Sequence, residues 1–278
     1  MIKKNFFLLF LTTLIYLSFF LGYFLQENSA GGGVIDFKHI SNNILLFQES
    51  NFFEIDWTKY ESTSLPIYYL ILKILNISDF FFIGLFNIFI SLFSVFIFFR
   101  LLSNLRDSYQ IKISNYLLFA ISSLPLLSPY FRTSTFWMLE ENIGYFFMLS
   151  SIFFWKKEKK NLNIFFCIIF SCLAFYSRQS YAFICIIIFF SLIDLKKILS
   201  YKNFFISSLF SIFLLPSLFF FFEWKGLVPP LAAIDRPITF QFINLLIIFS
   251  VSLFYLLPFL IFEEKSLIKD FLKKNYKI

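Results

Sequence analysis

Long uncharged runs, separated by short charged punctuation, dominate the chain. A helix that crosses roughly 30 Å of hydrocarbon needs about 17 to 25 mostly apolar residues. Eight runs approach that length, near 5–25, 80–99, 113–131, 136–155, 161–177, 179–194, 203–222 and 239–262. The first opens after Lys3 and Lys4, where a signal peptide would sit. Its apolar part is long for one, and Asn28-Ser29-Ala30 is a poor cleavage sequence, so it reads as an uncleaved anchor. Residues 65–75 are apolar too, but they make only about half a span and are bounded by Pro66 and by 76–79. They read as an interfacial helix. A second short helix is predicted after Ala30-Gly31-Gly32-Gly33, where Phe37, Ile40, Ile44 and Phe47 recur at helical spacing, with Asp36, His39 and Asn43 on the neighbouring stripe. The pattern therefore predicts an all-α, polytopic membrane protein with about eight transmembrane helices and interfacial helices in a long first outer loop, 26–79. Neither a repeat nor a Pro- or Ser-rich linker divides it, so 1–278 reads as one membrane domain with a tail at 263–278.

Composition removes the soluble alternatives. Of 278 residues, 59% are apolar and only 15% charged, too few polar groups to coat a water-soluble core. Phe alone supplies 48 residues against 7 Gly, an excess consistent with an A/T-rich genome, so no single Phe carries functional weight. Cys167, Cys172 and Cys185 all lie in apolar runs, where a free thiol behaves as a small hydrophobe; they suggest neither a disulfide framework nor a thiolate metal site. The net charge of +7 reports topology rather than nucleic-acid binding. With the N-terminus in the cytoplasm, most Lys and Arg fall in short inner loops and in the tail, which also lies inside, as the positive-inside rule asks. Counting 65–75 as a span would move Lys156, Lys157, Lys159 and Lys160 outside.

In this orientation the unusual polar residues share the outer side. Asp36 and His39 stand at i and i+3 in the first loop. Glu140 and Glu141 fall just inside the fourth run, after Arg132 and Trp137, and Arg178-Gln179 lies between the fifth and the sixth. Ionisable groups embedded at a span are costly unless they face a cavity or a partner. Each also has an ordinary reading: Asp36 as a first-turn acid beside a helix N-terminus, His39 on a solvated face, Arg178 snorkelling to the headgroups. Two ligands at Asp36 and His39 make a weak metal site; no cofactor is predicted, and participation of a divalent cation is left open by the sequence. The loop 223–230, with Trp224, Gly226, Pro229 and Pro230, reads as a stiff turn with an aromatic anchor, or as a cover for a site.

These residues bring a family into view. The chain resembles the GT-C glycosyltransferases, and within them the dolichyl-phosphate-glucose α-1,2-glucosyltransferases. Asp36-Phe37-Lys38-His39 looks like the family's first-loop acidic motif. Trp57 to Tyr69 is similar to its Thr-Thr-x-Pro-Gly-Leu-Tyr stretch, with a short helix after it. Glu141 before Phe146-Phe147 corresponds to an acid at the outer start of a span, and Arg178-Gln179-Ser180 resembles an Arg-Gln-Thr-Asn motif. The likeness covers roughly residues 1–200. It implies an inverting hexosyltransferase that moves sugar from a polyprenyl-phosphate carrier to a lipid-linked glycan or other acceptor at the outer membrane face. Asp36 would be the base, Arg178, Gln179 and Arg132 would meet the phosphate, and Glu141 and His39 would contact sugar or acceptor. A transporter or flippase for a lipid-linked glycan is the alternative, although paired half-repeats with interrupted helices are not evident.

Overall fold

The computed structural model describes residues 2–51, 54–157, 160–194, 196–197 and 200–235. The eighth predicted span, 239–262, and the tail 263–278 lie outside the described residues. Those described are helical, with no strand among them. In chain order they form α1 (Ile2–Phe24), α2 (Gly33–Glu49), α3 (Ile67–Ile74), α4 (Phe80–Ser108), α5 (Asn115–Ser123), α6 (Pro129–Phe136), α7 (Glu141–Trp155), α8 (Asn161–Ser177), α9 (Ala182–Leu192), α10 (Tyr201–Trp224) and α11 (Pro230–Asp235).

Among the described residues three helices are long and apolar enough to cross a membrane: 5–24 within α1, α4, and α10. Only 22% of the most apolar window of α10 is buried, so most of its hydrocarbon faces outward. Water would not tolerate such a surface, and a bilayer does. The remaining apolar segments are shorter than the sequence suggests. The 113–131 run is not one helix. Pro125 and Pro129 lack the N–H an uninterrupted helix requires, so α5 gives way to a tight 3₁₀ turn, Leu124–Leu127, and α6 restarts with Ser128 capping the Phe131 N–H at 3.4 Å. The 136–155 run begins its helix only at Glu141. The resulting α7 has 15 residues and a length of about 22 Å, below a full hydrocarbon thickness. In the other direction, α4 overshoots the 80–99 run to Ser108, started by Asp79 accepting from the Phe81 N–H at 2.8 Å.

The bundle is organised around the α7–α8 hairpin. On one side α4 packs on α7 and links it to α5, while α1 packs on α5 and α6; on the other side α8 carries α9 and α10. Buried small polar residues bind α4, α6 and α7. The Asn142 amide donates to Thr135 Oγ1 (2.6 Å), Phe131 O (3.0 Å) and Ser91 Oγ (3.1 Å), and Ser91 and Thr135 are themselves 2.8 Å apart. Such bonds hold helices together where apolar packing gives no preference between a neighbour and lipid. Close approach of α7 and α8 depends on Gly144, where a Cβ would stand 2.8 Å from the Tyr181 ring and 3.1 Å from the Ser177 Cβ.

The first-loop helix predicted from its apolar spacing is present as α2. Ile40, Ile44 and Phe47 are buried, and Phe37 packs edge-on against Phe80 and Trp137. The half-length segment is α3, which buries Tyr68, Tyr69 and Leu72 against α2 and α8 rather than lying free on the bundle. Lys73 ties the two together. Its ammonium donates to Phe47 O at 2.5 Å and to Ser50 O, backbone acceptors at the negative end of α2.

Candidate functional site

Two turns and a loop carry Glu140, Glu141, Arg178 and the 60–64 segment. The first turn, 137–140, links α6 to α7. Met138 adopts a left-handed backbone (φ 59°), and the Tyr68 hydroxyl lies 3.0 Å from Met138 O and 3.1 Å from Asn87 Oδ1, while the Asn87 amide donates to Leu139 O at 3.2 Å. This turn delivers Glu140 inward and Glu141 outward. The second turn follows α8, where Arg178 leaves the helix in an extended conformation and a single 3₁₀ turn, Gln179–Tyr181, leads into α9. Arg178 Nη1 is 3.1 Å from Glu141 Oε1, with both side chains partly exposed (42% and 32%), and Ser134 Oγ donates to the other Glu141 oxygen at 3.2 Å.

Glu140 sits in different surroundings. It is 7% exposed, Ser62 Oγ donates to its Oε1 at 2.5 Å, and its Oε2 makes no hydrogen bond. Burial, and then the neighbouring Glu141 charge, push its carboxyl up to about 7, with the hydroxyls of Ser62 and Ser64 and the Arg178 charge pulling the other way. Tyr60, Tyr68 and Tyr69 complete the surroundings, all with negligible exposure and phenols driven far above their ordinary range by burial.

Ser62 belongs to the loop 60–64, which also faces α2. Glu61 Oε2 is 2.7 Å from His39 Nδ1, and the Asn42 amide donates to both Glu61 oxygens at 3.1 and 3.2 Å. The Glu61 N–H donates to Asn43 Oδ1 (3.0 Å), and the Asn43 amide donates to the Tyr69 hydroxyl (3.2 Å). His39 is thus a held imidazole whose Nε2 makes no hydrogen bond among the described residues. Asp36 is half-buried in the first turn of α2, one helical turn before His39. Its neighbour Gly33 packs against Trp137, which anchors this end of α2 to the α6–α7 turn. Gln179 is turned away from the acids, donating to Leu227 O at 2.5 Å in the 223–230 loop. Trp224 from that loop's start stacks on Tyr60 at 5.8 Å, so the loop does lean over the 60–64 segment.

Arg132 has a structural post instead of a free one. Its Nε meets both Glu27 oxygens at 3.0 Å, Nη1 donates to Ser18 Oγ (3.1 Å) and Leu126 O (3.3 Å), and Nη2 donates to Ser18 O (2.8 Å) and Glu27 Oε2. A guanidinium has five N–H groups, and all five are taken. The Arg132 bonds hold the Glu27 carboxyl below the usual carboxylate range. In this structure Arg132 thereby pins α1 to α6, with its donors committed to Glu27, Ser18 and Leu126. Arg178, by contrast, spends one bond on Glu141 and keeps its other donors open among the described residues.

Sequence reasoning missed the partnerships. Glu61 was one acid among several in the first loop, Ser62 carried no signal, and the pairing of Glu27 with Arg132 spans 105 residues. Among the described residues no group of three or more His, Cys, Asp or Glu side chains gathers for a metal. Comparison with protein-family models, curated proteins and solved structures finds no match to the chain.

Proposed function

We propose that the chain is a membrane glycosyltransferase that moves a hexose from a polyprenyl-phosphate sugar to a lipid-linked glycan or other hydroxyl acceptor on the outer face of the membrane. The observation that carries the reading is the Glu141–Arg178 pair: a partly exposed arginine with unused donors among the described residues, held at 3.1 Å by a carboxylate whose chain neighbour Glu140 bonds Ser62 of the first loop.

The chemistry needs little more. The acceptor oxygen attacks the anomeric carbon from the side opposite the phosphate, its proton passes to the Asp36 carboxylate, and the bond to the phosphate breaks with its electron pair leaving on the phosphate oxygen. Arg178 steadies that departing charge with donors fixed before the reaction begins. A phosphate leaves without being protonated, so one base suffices, in contrast to the paired carboxyls of glycoside hydrolysis. Glu141 orients Arg178, and Glu61 orients His39 toward sugar or acceptor hydroxyls. Gln179 acts through the 223–230 loop that it tethers. The orientation that carries this site outward is the one the Lys and Arg distribution supports.

The test is transfer of labelled sugar in membranes, offering polyprenyl-phosphate glucose and mannose. Asp36→Asn and Arg178→Ala should each lose transfer by at least about 100-fold, the scale of a lost base or charge-stabilising donor. Near-normal rates in Asp36→Asn remove it as base. Absence of transfer by the expressed wild type, with native acceptors present, overturns the reading; glycan-lipid movement across proteoliposomes would then identify the transporter instead.

A further inference from the structure

The transfer step just described leaves the membrane side of α4 without a role, and a groove of about 530 Å³ opens there. Its rim is the α3–α4 turn, with Asn76, Ser78 and Asp79, and its floor carries Phe82, Leu85 and Phe89 of α4. The floor continues down one stripe of the helix, where Phe89 stacks on Phe93 and Phe93 on Phe96, each at 5.8 Å. These five floor and stripe side chains are at least 40% exposed, while Asn87, Ser91 and Ser94 are buried on the opposite face. From Phe82 to Phe96 the stripe covers about 21 Å at 1.5 Å per residue, more than the roughly 15 Å of hydrocarbon in one leaflet. The rim is held in place. Asn76 turns the chain with a left-handed backbone (φ 53°), its N–H donates to Lys73 O at 3.0 Å, and the Gln48 amide donates to Ile77 O at 3.4 Å. The Asn76 and Ser78 side chains make no hydrogen bond among the described residues. Asp79 uses one oxygen only, on the N–H groups of Phe81 (2.8 Å) and Phe82 (3.4 Å).

Resting on the transferase reading, we propose that this groove seats the acceptor, and that the acceptor is a neutral lipid with hydroxyls on its head, a diacylglycerol or its glycosylated form. Shape asks for a lipid, because an apolar floor within the outer leaflet lies under a polar rim at its surface, in the orientation that puts the start of α4 outside. Charge selects the head. The positive end of a helix dipole ordinarily welcomes a phosphate, but at α4 Asp79 already supplies the anion. A phosphate seated there meets that carboxylate, and no Lys or Arg among the described residues lines the groove to offset it. Lys73, the nearest basic residue in sequence, has its ammonium committed to Phe47 O and Ser50 O. A hydroxyl suits all three rim groups, since it donates to the other Asp79 oxygen and accepts from the Ser78 hydroxyl or the Asn76 amide. The head lies close to the proposed base: Phe80, next to Asp79, packs on Phe37, next to Asp36, at 5.5 Å. The reaction is the one already written, with the lipid's hydroxyl as the attacking oxygen and its proton passing to Asp36.

The test is photo-crosslinking of the full chain in phosphatidylcholine liposomes that carry a trace of one probe with a diazirine in its hydrocarbon tail: diacylglycerol, polyprenyl phosphate, or phosphatidylcholine itself. Labelling of 82–96 is compared with labelling of α10, whose most apolar window is only 22% buried and so reports bulk lipid. The diacylglycerol probe should prefer 82–96 at least about 5-fold more than the phosphatidylcholine probe does, the scale of one net hydrogen bond to the head. Leu85→Trp, which fills the floor, should abolish that preference. Asp79→Asn keeps a good helix cap and loses the charge, and should raise polyprenyl-phosphate labelling of 82–96 at least about 5-fold. Equal preference for the three probes, a preference for polyprenyl phosphate in wild type, wild-type labelling in Leu85→Trp, or unchanged exclusion of the phosphate probe in Asp79→Asn each overturns the proposal. Labelled sugar offered to the same liposomes on polyprenyl phosphate should appear on diacylglycerol, and transfer to a different acceptor alone also overturns it. Selective diacylglycerol labelling with no transfer to any acceptor defeats the transferase reading and leaves the lipid site standing.

Discussion

Glu140→Gln should make the protein more stable at pH 8 and abolish most of the pH dependence between about 4.5 and 7. The wild-type carboxyl is raised from 4.5 to about 7, chiefly by burial. A group whose folded-state affinity for a proton exceeds its unfolded one contributes stability that is fully present below pH 4.5. It is lost as pH rises through 7. At about 1.4 kcal/mol per tenfold change in proton affinity, the loss amounts to about 3 kcal/mol at pH 8. Gln keeps the shape and the acceptor for Ser62 and cannot ionise. For a chain of this size about 3 kcal/mol corresponds to roughly 6 to 12 °C of melting temperature. The assay is thermal unfolding of the detergent-purified chain followed by tryptophan fluorescence, at pH 5, 6, 7 and 8. The two proteins should separate progressively as pH rises from about 4.5 to 7, with the variant higher, and the gap should be nearly constant between pH 7 and pH 8. Parallel curves across the range would mean that Glu140 is not held as the folded chain's proton carrier, and the argument from its unbonded Oε2 would fail with it.

Three further outcomes follow from named contacts. Arg132→Ala leaves the Glu27 carboxylate and the carbonyls of Ser18 and Leu126 without donors, and should cost about 3 to 5 kcal/mol, read as a lower melting temperature and poor membrane yield. In the wild type, the Glu27 carboxyl lies below its ordinary range, so this pair's stability is present above about pH 4.5 and lost as acid protonates Glu27; Arg132→Ala should lose that acid sensitivity. Gly144→Val drives methyl groups into the Tyr181 ring and the Ser177 Cβ, destabilising by about 1 to 3 kcal/mol. Because Gly144 is one turn from Glu141, this variant should also lower sugar transfer more than melting alone explains. Lys73→Met removes the donor to Phe47 O and Ser50 O, and amide exchange should quicken in the last turn of α2 while α4 is unchanged.

What could be read in advance divides along physical lines. The α2 helix was legible because Phe37, Ile40, Ile44 and Phe47 repeat at 3.6-residue spacing, and Ile40, Ile44 and Phe47 are buried at that period. Membrane character was legible because hydrocarbon content is a sum over many residues. Helix boundaries were not: the length of an apolar run outweighed Pro125 and Pro129, which cut it into α5 and α6. Residues Arg132 and Arg178 look alike in sequence, each an arginine at the rim of an apolar stretch. They differ in how many donors are already committed, and that depends on partners such as Glu27 and Ser18 more than 100 residues away. Likewise the acid that orients His39 lies 22 residues downstream, and no local pattern marks Glu61 above its acidic neighbours.

The Glu27–Arg132 pin also sets a clock on biosynthesis. Its two halves are 105 residues apart in the chain. At about 5 to 20 residues per second, the carboxylate at the end of the first helix exists for about 5 to 20 seconds before its arginine has been made. Throughout that interval the first helix is in the membrane without the contact that later fixes it, and a nascent chain arrested there carries an acid with no base. Final seating of the chain's first element is therefore a late event of translation, and the interval is open to whatever membrane chaperone holds an unpaired helix until its partner emerges.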